Sequence, residues 1–85
     1  MATSAEPGAT PLDQLRANVR ETPPAPEVME RYLATVRAGA HAITDEDVQE
    51  LKAAGVSEDE IFEQTVAAAI SEGLRRLDAA EAVIR

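Results

Sequence analysis

The chain of 85 residues contains no cysteine and no tryptophan, and its only aromatic residues are Tyr32 and Phe62. The absence of cysteine excludes disulfide bonds, thiolate catalysis and cysteine-based metal sites. Basic residues are also scarce, because 8 Lys and Arg stand against 16 Asp and Glu for a formal net charge of −8. Nucleic acids and anionic membranes bind clustered basic residues, so we expect neither as a partner.

The N-terminal residues lack both a basic start and an apolar run. Residues 1–9 are small and polar and include Pro7 and Gly8, so we interpret them as a flexible tail and residues 10–85 as one helical domain. Because no signal peptide or membrane-spanning segment is visible, we expect a cytoplasmic protein. The sequence also contains no nucleotide-binding loop and no metal-ligand spacing, and we expect no cofactor and no metal.

Two helix starts in tandem form the most informative part of the sequence. Thr44 followed by Asp47, and Ser57 followed by Glu60, fit the spacing of the capping box, in which side chains satisfy the free amides of a first turn. Gly55 lies between them, where a residue with positive φ commonly ends a helix. This pattern predicts two helices that meet at Gly55.

The rest of the chain reads as further helices separated by breaks. Thr10 fits a capping residue before Pro11, and the proline-rich stretch 22–26 must interrupt any helix. We expect a short helix after Thr10, a second from about Pro26 to Ala40, a third from Asp45 to Ala54, and a long fourth from after Ser57 to Ile84. No alternating strand pattern occurs. The predicted fold is all-α, a small bundle of about four helices with a long C-terminal helix.

A broad apolar band along the fourth helix is the main candidate for an interaction surface. The domain is small and rich in alanine, so it buries little apolar area by itself and is expected to need a partner surface. We expect the chain to form a homo-oligomer or to bind a protein partner. The predicted interface residues are Ile61, Phe62, Val66, Ala69, Ile70, Gly73, Leu74 and Leu77.

The charged residues and the single histidine offer weaker candidates for chemistry. The acids from Asp45 to Glu50 resemble a cation site in composition, but they begin a helix, where the dipole favours negative charge. Arg75 and Arg76 are expected to pair with Glu72 and Asp78 on an exposed face rather than to bind an anion. His41, the only histidine, is the one weak candidate for a catalytic residue, and a cap or an exposed position near a helix end is the better explanation of it.

The segments Thr44–Val48 and Leu51–Glu63, followed by the alanines 67–69 and the pair 76–77, resemble the carboxymuconolactone decarboxylase and alkylhydroperoxidase D-like superfamily. The resemblance covers roughly residues 43–77 and implies a helical, oligomer-forming scaffold. The alkylhydroperoxidase D-like branch carries a Cys-x-x-Cys pair, which this chain cannot supply. The decarboxylase branch carries a histidine shortly before the glycine turn, whereas His41 lies fourteen positions before Gly55, so no catalytic role is transferred to it.

Three functional hypotheses follow. The first is a non-catalytic, self-associating helical protein with a structural or adaptor role. The second is a small enzyme of the decarboxylase or isomerase type, with a site between subunits that uses His41 and arginines and places a carboxylate or Arg37 near His41. The third is an accessory subunit that completes a larger enzyme. The sequence identifies no substrate, and a fold by itself does not supply one.

Overall fold

The computed structural model describes residues 10–84, so the predicted tail, residues 1–9, and the last residue, Arg85, lie outside the described residues. Within this range the all-α prediction is confirmed, because the chain forms helices and no strand. The four α-helices are α1 (Pro11–Glu21), α2 (Glu30–Ala38), α3 (Asp45–Ala53) and α4 (Glu58–Ile84). The long C-terminal helix is also confirmed.

The predicted capping residues define the helix starts. In the Thr44 box, the Asp47 amide donates to Thr44 Oγ1 over 3.2 Å, and the Thr44 amide donates to Asp47 Oδ2 over 2.9 Å. A matching reciprocal box joins Thr10 and Asp13 at the start of α1. Gly55 has a φ of 97°, in the left-handed region that favours glycine, and this conformation separates α3 from α4.

The predicted bounds of the second helix were too wide. The segment Glu27–Met29 forms a 3-10 turn in which the Met29 amide donates to the Pro26 carbonyl over 2.9 Å, and α2 begins only afterwards. A second 3-10 turn, Ala40–Ala42, follows Gly39. Tight turns of this type are frequent at helix ends, where they satisfy groups that lack an α-helical partner. Ala40, the predicted end of the second helix, lies in this turn and is exposed.

The core lies where α2 and α3 pack against the first half of α4. Its buried residues are Met29, Tyr32, Leu33, Val36, Leu51, Val56, Ile61 and Ala68. Both apolar pairs beside the capping boxes contribute, because Val56 and Ile61 are buried while Ile43 and Val48 pack against the cluster from the side. The core consists mainly of aliphatic side chains, and Tyr32 is its only aromatic member.

Two long-range polar contacts attach α4 to the rest of the chain. Thr65 Oγ1 donates to the Ile61 carbonyl over 2.6 Å, so its single hydroxyl proton is used. Tyr32 Oη must therefore donate in its 2.8 Å contact with Thr65 Oγ1. Gln64, the only buried polar side chain among residues 10–84, donates to the Pro23 carbonyl over 2.8 Å and holds the proline-rich break against α4.

Helix α1 runs antiparallel to α4 and packs against its middle part, between Phe62 and Asp78. Arg16, in the middle of α1, binds Asp78 at 2.8 Å, whereas Val19 lines a hollow together with Val66 and Ile70, closer to the start of α4. No residue of α1 is fully buried. This helix is thus attached through half-buried side chains and an ion pair, and it leaves part of the α4 surface open.

Candidate functional site

The largest apolar side chain left in solvent on α4 is that of Phe62, which is 71 % exposed. It shares one side of the helix with four other residues at spacings of three and four: Val66, Ala69, Gly73 and Leu77. We refer to these five residues as the outer face of α4. Val66 and Leu77 retain 37 % and 38 % of their accessible surface, and Ala69 and Gly73 are exposed.

The structure divides the eight predicted interface residues into two groups. Ile61 and Leu74 are buried within the chain itself, at 6 % and 9 % exposure, and Ile70 is half-buried. The other five are the residues of the outer face. One side of the apolar band of α4 therefore packs against α1, α2 and α3. The other side, the outer face, is not buried by any other element of residues 10–84.

Phe62 stands between two shallow apolar hollows. The first lies against α1, where Val19, Val66 and Ile70 line it. The second lies against α2 and α3, where Tyr32, Val48 and Ile61 line it. A side chain that approached Phe62 from solvent would therefore meet apolar surface on both sides of the ring.

Helix α1 extends the apolar surface, which the sequence did not indicate. Leu15 is 36 % exposed and lies on the side of α1 that carries Asn18 and Thr22, three and seven residues later. Asn18 and Thr22 line the hollow next to Phe62, so Leu15 continues the same surface along α1. The helical spacing of Leu15 can be seen in the sequence, but only the packing of α1 against α4 determines which way the Leu15 side chain points.

Ion pairs occupy the second half of α4. Glu72 accepts hydrogen bonds from both Arg75 and Arg76, as expected, and these bonds lower the pKa of the Glu72 carboxyl. The predicted pairing of the same arginines with Asp78 was wrong, because Asp78 binds Arg16 of α1 through two hydrogen bonds. That contact lowers the pKa of Asp78. Packing of α1 brings together two residues 62 positions apart, which local spacing could not predict.

The start of α4 carries a further ion pair. Lys52 Nζ donates to Glu58 Oε2 over 2.7 Å, and this hydrogen bond lowers the pKa of the Glu58 carboxyl. The pair links the end of α3 to the first turn of α4 across Gly55. Both side chains are well exposed to solvent, so the contact orients the turn more than it stabilises the fold.

The other predicted candidates lie apart from the outer face. His41 is exposed in the second 3-10 turn, and its ring folds back over Gly39 so closely that a Cβ there would lie 2.7 Å from His41 Cε1. Asp47, in the acidic run, is used by the Thr44 cap. Across residues 10–84, no three histidine or acidic side chains converge in a way that would hold a metal ion.

Two further results bear on the class of protein. No helix in the described part of the chain combines the length and the apolar character needed to cross a membrane. Comparisons with known protein families, with curated proteins and with solved structures found no match.

Proposed function

We propose that this protein is a self-associating helical scaffold with a structural or adaptor role in the cytoplasm. The observation that carries the proposal is the outer face of α4, on which Phe62 is 71 % exposed next to Val66 and Leu77. Single exposed apolar side chains are common, but a contiguous group on one helix side marks interaction surfaces.

The balance between core and surface supports the same proposal. Residues 10–84 bury nine hydrophobic residues, one of them an alanine, and leave eight large hydrophobic residues exposed. A domain of this size gains only a few kcal/mol from its own core, roughly 3–5 kcal/mol. Association that covers exposed apolar side chains adds stability by mass action, because it favours the folded over the unfolded chain.

We also propose a relationship to the carboxymuconolactone decarboxylase-like proteins, of which this chain would be a cysteine-free member without catalytic function. The support is the resembling segment, in which α3 ends before Gly55 and α4 begins with the Ser57 hydroxyl accepting from the Glu60 amide over 3.1 Å. What this chain would share with those proteins is the helical scaffold and its assembly.

The mass in solution tests the proposed self-association. Multi-angle light scattering over a dilution series of the full chain should give a mass above 9.1 kDa that falls toward this value on dilution. The series is then repeated with Val66→Glu, which places a charge on the outer face, and with Val28→Glu, which places it on a 50 % exposed residue before α2. We expect only the Val66 variant to remain a monomer.

A chain that stays monomeric at all concentrations would overturn the proposal, because the outer face would then have no second copy to cover it. Equal loss of association in both variants would also contradict it, since a general effect of added charge would explain that result. Far-ultraviolet circular dichroism of each variant confirms that the helices remain folded.

A further inference from the structure

We propose that a second copy of this chain covers the outer face in an antiparallel arrangement, with Phe62 of each copy over Gly73 of the other. This inference rests on the proposed self-association and adds its orientation and register. The twofold axis of the dimer would pass between Val66 and Ala69 of the two α4 helices. Such an interface is isologous, because the same surface is used by both copies.

The order of side-chain sizes along the outer face favours this register. Phe62 and Val66 are large, and they are followed at the same spacing by Ala69 and Gly73, which are small. When two such helices run in opposite directions, Phe62 faces Gly73 and Val66 faces Ala69. Facing large against small residues lets side chains interdigitate at the density of a protein core. A parallel, in-register pair would instead place Phe62 against Phe62 and leave a gap at Gly73.

Gly73 supports the same arrangement independently. It lies inside α4, where glycine is less favourable than alanine by about 0.5–1 kcal/mol. A Cβ built on Gly73 would have no heavy atom within 4 Å, so no close contact in the described part of the chain requires a glycine at this position. The recess opens to solvent on the same side of the helix as Phe62, three turns away.

Charge distinguishes the two orientations. The first turn and a half of α4, residues 58–63, contains four acids and no base. Residues 72–78 contain two acids and two arginines, so this segment is neutral as a whole. A parallel pair would place the four acids of one copy beside the four acids of the other. The antiparallel pair places the acids of one copy beside Arg76 of the other, and the Arg76 side chain is 67 % exposed. Repulsion between like charges therefore disfavours the parallel dimer.

The available apolar area approaches what a stable dimer needs. From their fractional exposure, Phe62, Val66 and Leu77 together with Leu15 present roughly 350 Å² of apolar surface per copy. A standard interface buries about 800 Å² on each side, of which about 450 Å² is apolar. The outer face and its extension on α1 thus supply most of the apolar area that one copy of the chain would cover.

Engineered cysteines test the orientation directly, because the natural chain has none. In the proposed register, position 66 of one copy lies only ~4.5 Å along the helix axis from position 66 of the other, and the same holds for position 69. The two residues at position 80 are ~37 Å apart along the axis. Mild oxidation should therefore cross-link Val66→Cys and Ala69→Cys with similar yield and leave Ala80→Cys monomeric on a denaturing gel. A parallel pair would cross-link all three variants.

Gly73 variants test the recess. Gly73→Leu fills it and should raise the dissociation constant at least ~10-fold, while the melting temperature of the dilute monomer stays the same or rises, since leucine is the better helix former. Gly73→Ala is the matched control for helix propensity and should have the smaller effect on association.

The outcomes separate the register from the self-association itself. A light-scattering mass that never exceeds that of the monomer would overturn both. A dimer in which Ala80→Cys cross-links, or in which Gly73→Leu associates as tightly as the natural chain, would leave the self-association intact and overturn the antiparallel register. Cross-linking of only one of Val66→Cys and Ala69→Cys would indicate a register shifted by one helical turn, which also contradicts the placement of Phe62 over Gly73.

Discussion

Truncation of Phe62 to alanine should separate the stability of the fold from the stability of the dimer. Within one chain the ring is 71 % exposed and is not part of the core cluster. Removing it should therefore change the free energy of unfolding of the monomer by less than about 0.5 kcal/mol. In the dimer, by contrast, the same ring would be covered.

The structure gives the size of the expected effect. Full burial of a phenylalanine side chain is worth about 1.5–3 kcal/mol, and most of the Phe62 side chain is available for burial by a second copy. A loss of about 2 kcal/mol per copy gives about 4 kcal/mol per dimer, which corresponds to a dissociation constant roughly a thousandfold higher. Such values place Phe62 among the residues that dominate an interface.

Sedimentation equilibrium measures the dissociation constant, and thermal unfolding at a concentration where the natural chain is monomeric measures the stability of the fold. Val28→Ala is the control, because Val28 is also half exposed but lies on the 3-10 turn before α2. A dissociation constant of Phe62→Ala within about threefold of that of the natural chain would contradict burial of the ring in a dimer, as would an equal weakening of association by Val28→Ala. A large drop in the melting temperature of the monomer would show that Phe62 supports the fold.

Two further predictions concern the fold. Thr65→Val leaves the buried Tyr32 hydroxyl without its acceptor and should destabilise the chain by about 1–3 kcal/mol. Adding Tyr32→Phe to this variant should restore part of the lost stability. A double-mutant cycle of thermal unfolding measures the coupling between the two residues, and additive effects would contradict it. The Arg16 guanidinium lowers the pKa of Asp78, so the pair contributes stability above the ordinary carboxyl pKa of 3.8 and loses it as the pH falls through the lower folded value. The gap in melting temperature between the natural chain and Asp78→Asn should therefore be present at pH 7 and close as the pH falls well below 3.8, whereas a gap independent of pH would contradict the ion pair as its cause.

Local signals were sufficient for the helix starts. The Thr44 hydroxyl and the Asp47 carboxylate act on amides three residues away, so their effect is encoded in four consecutive residues. Gly55 likewise adopts its positive φ for a local steric reason. These features predicted α3 and α4 closely. The second helix was predicted too long, because local spacing does not distinguish an α-helical turn from the 3-10 turns that form at Glu27–Met29 and Ala40–Ala42.

The sequence alone predicts that the chain is helical, where three of its four α-helices begin, and that α4 carries more apolar residues than one neighbouring helix can cover. It could not determine which of them face inward. Ile61 and Phe62 are adjacent and both apolar, yet one is 6 % and the other 71 % exposed. Which residues are buried follows from the tertiary structure, because α1, α2 and α3 pack on one side of α4. Contacts between residues far apart in the sequence, such as Arg16 with Asp78 and Pro23 with Gln64, hold the helices in these positions. Such contacts depend on the path of the whole chain, and no local pattern encodes them.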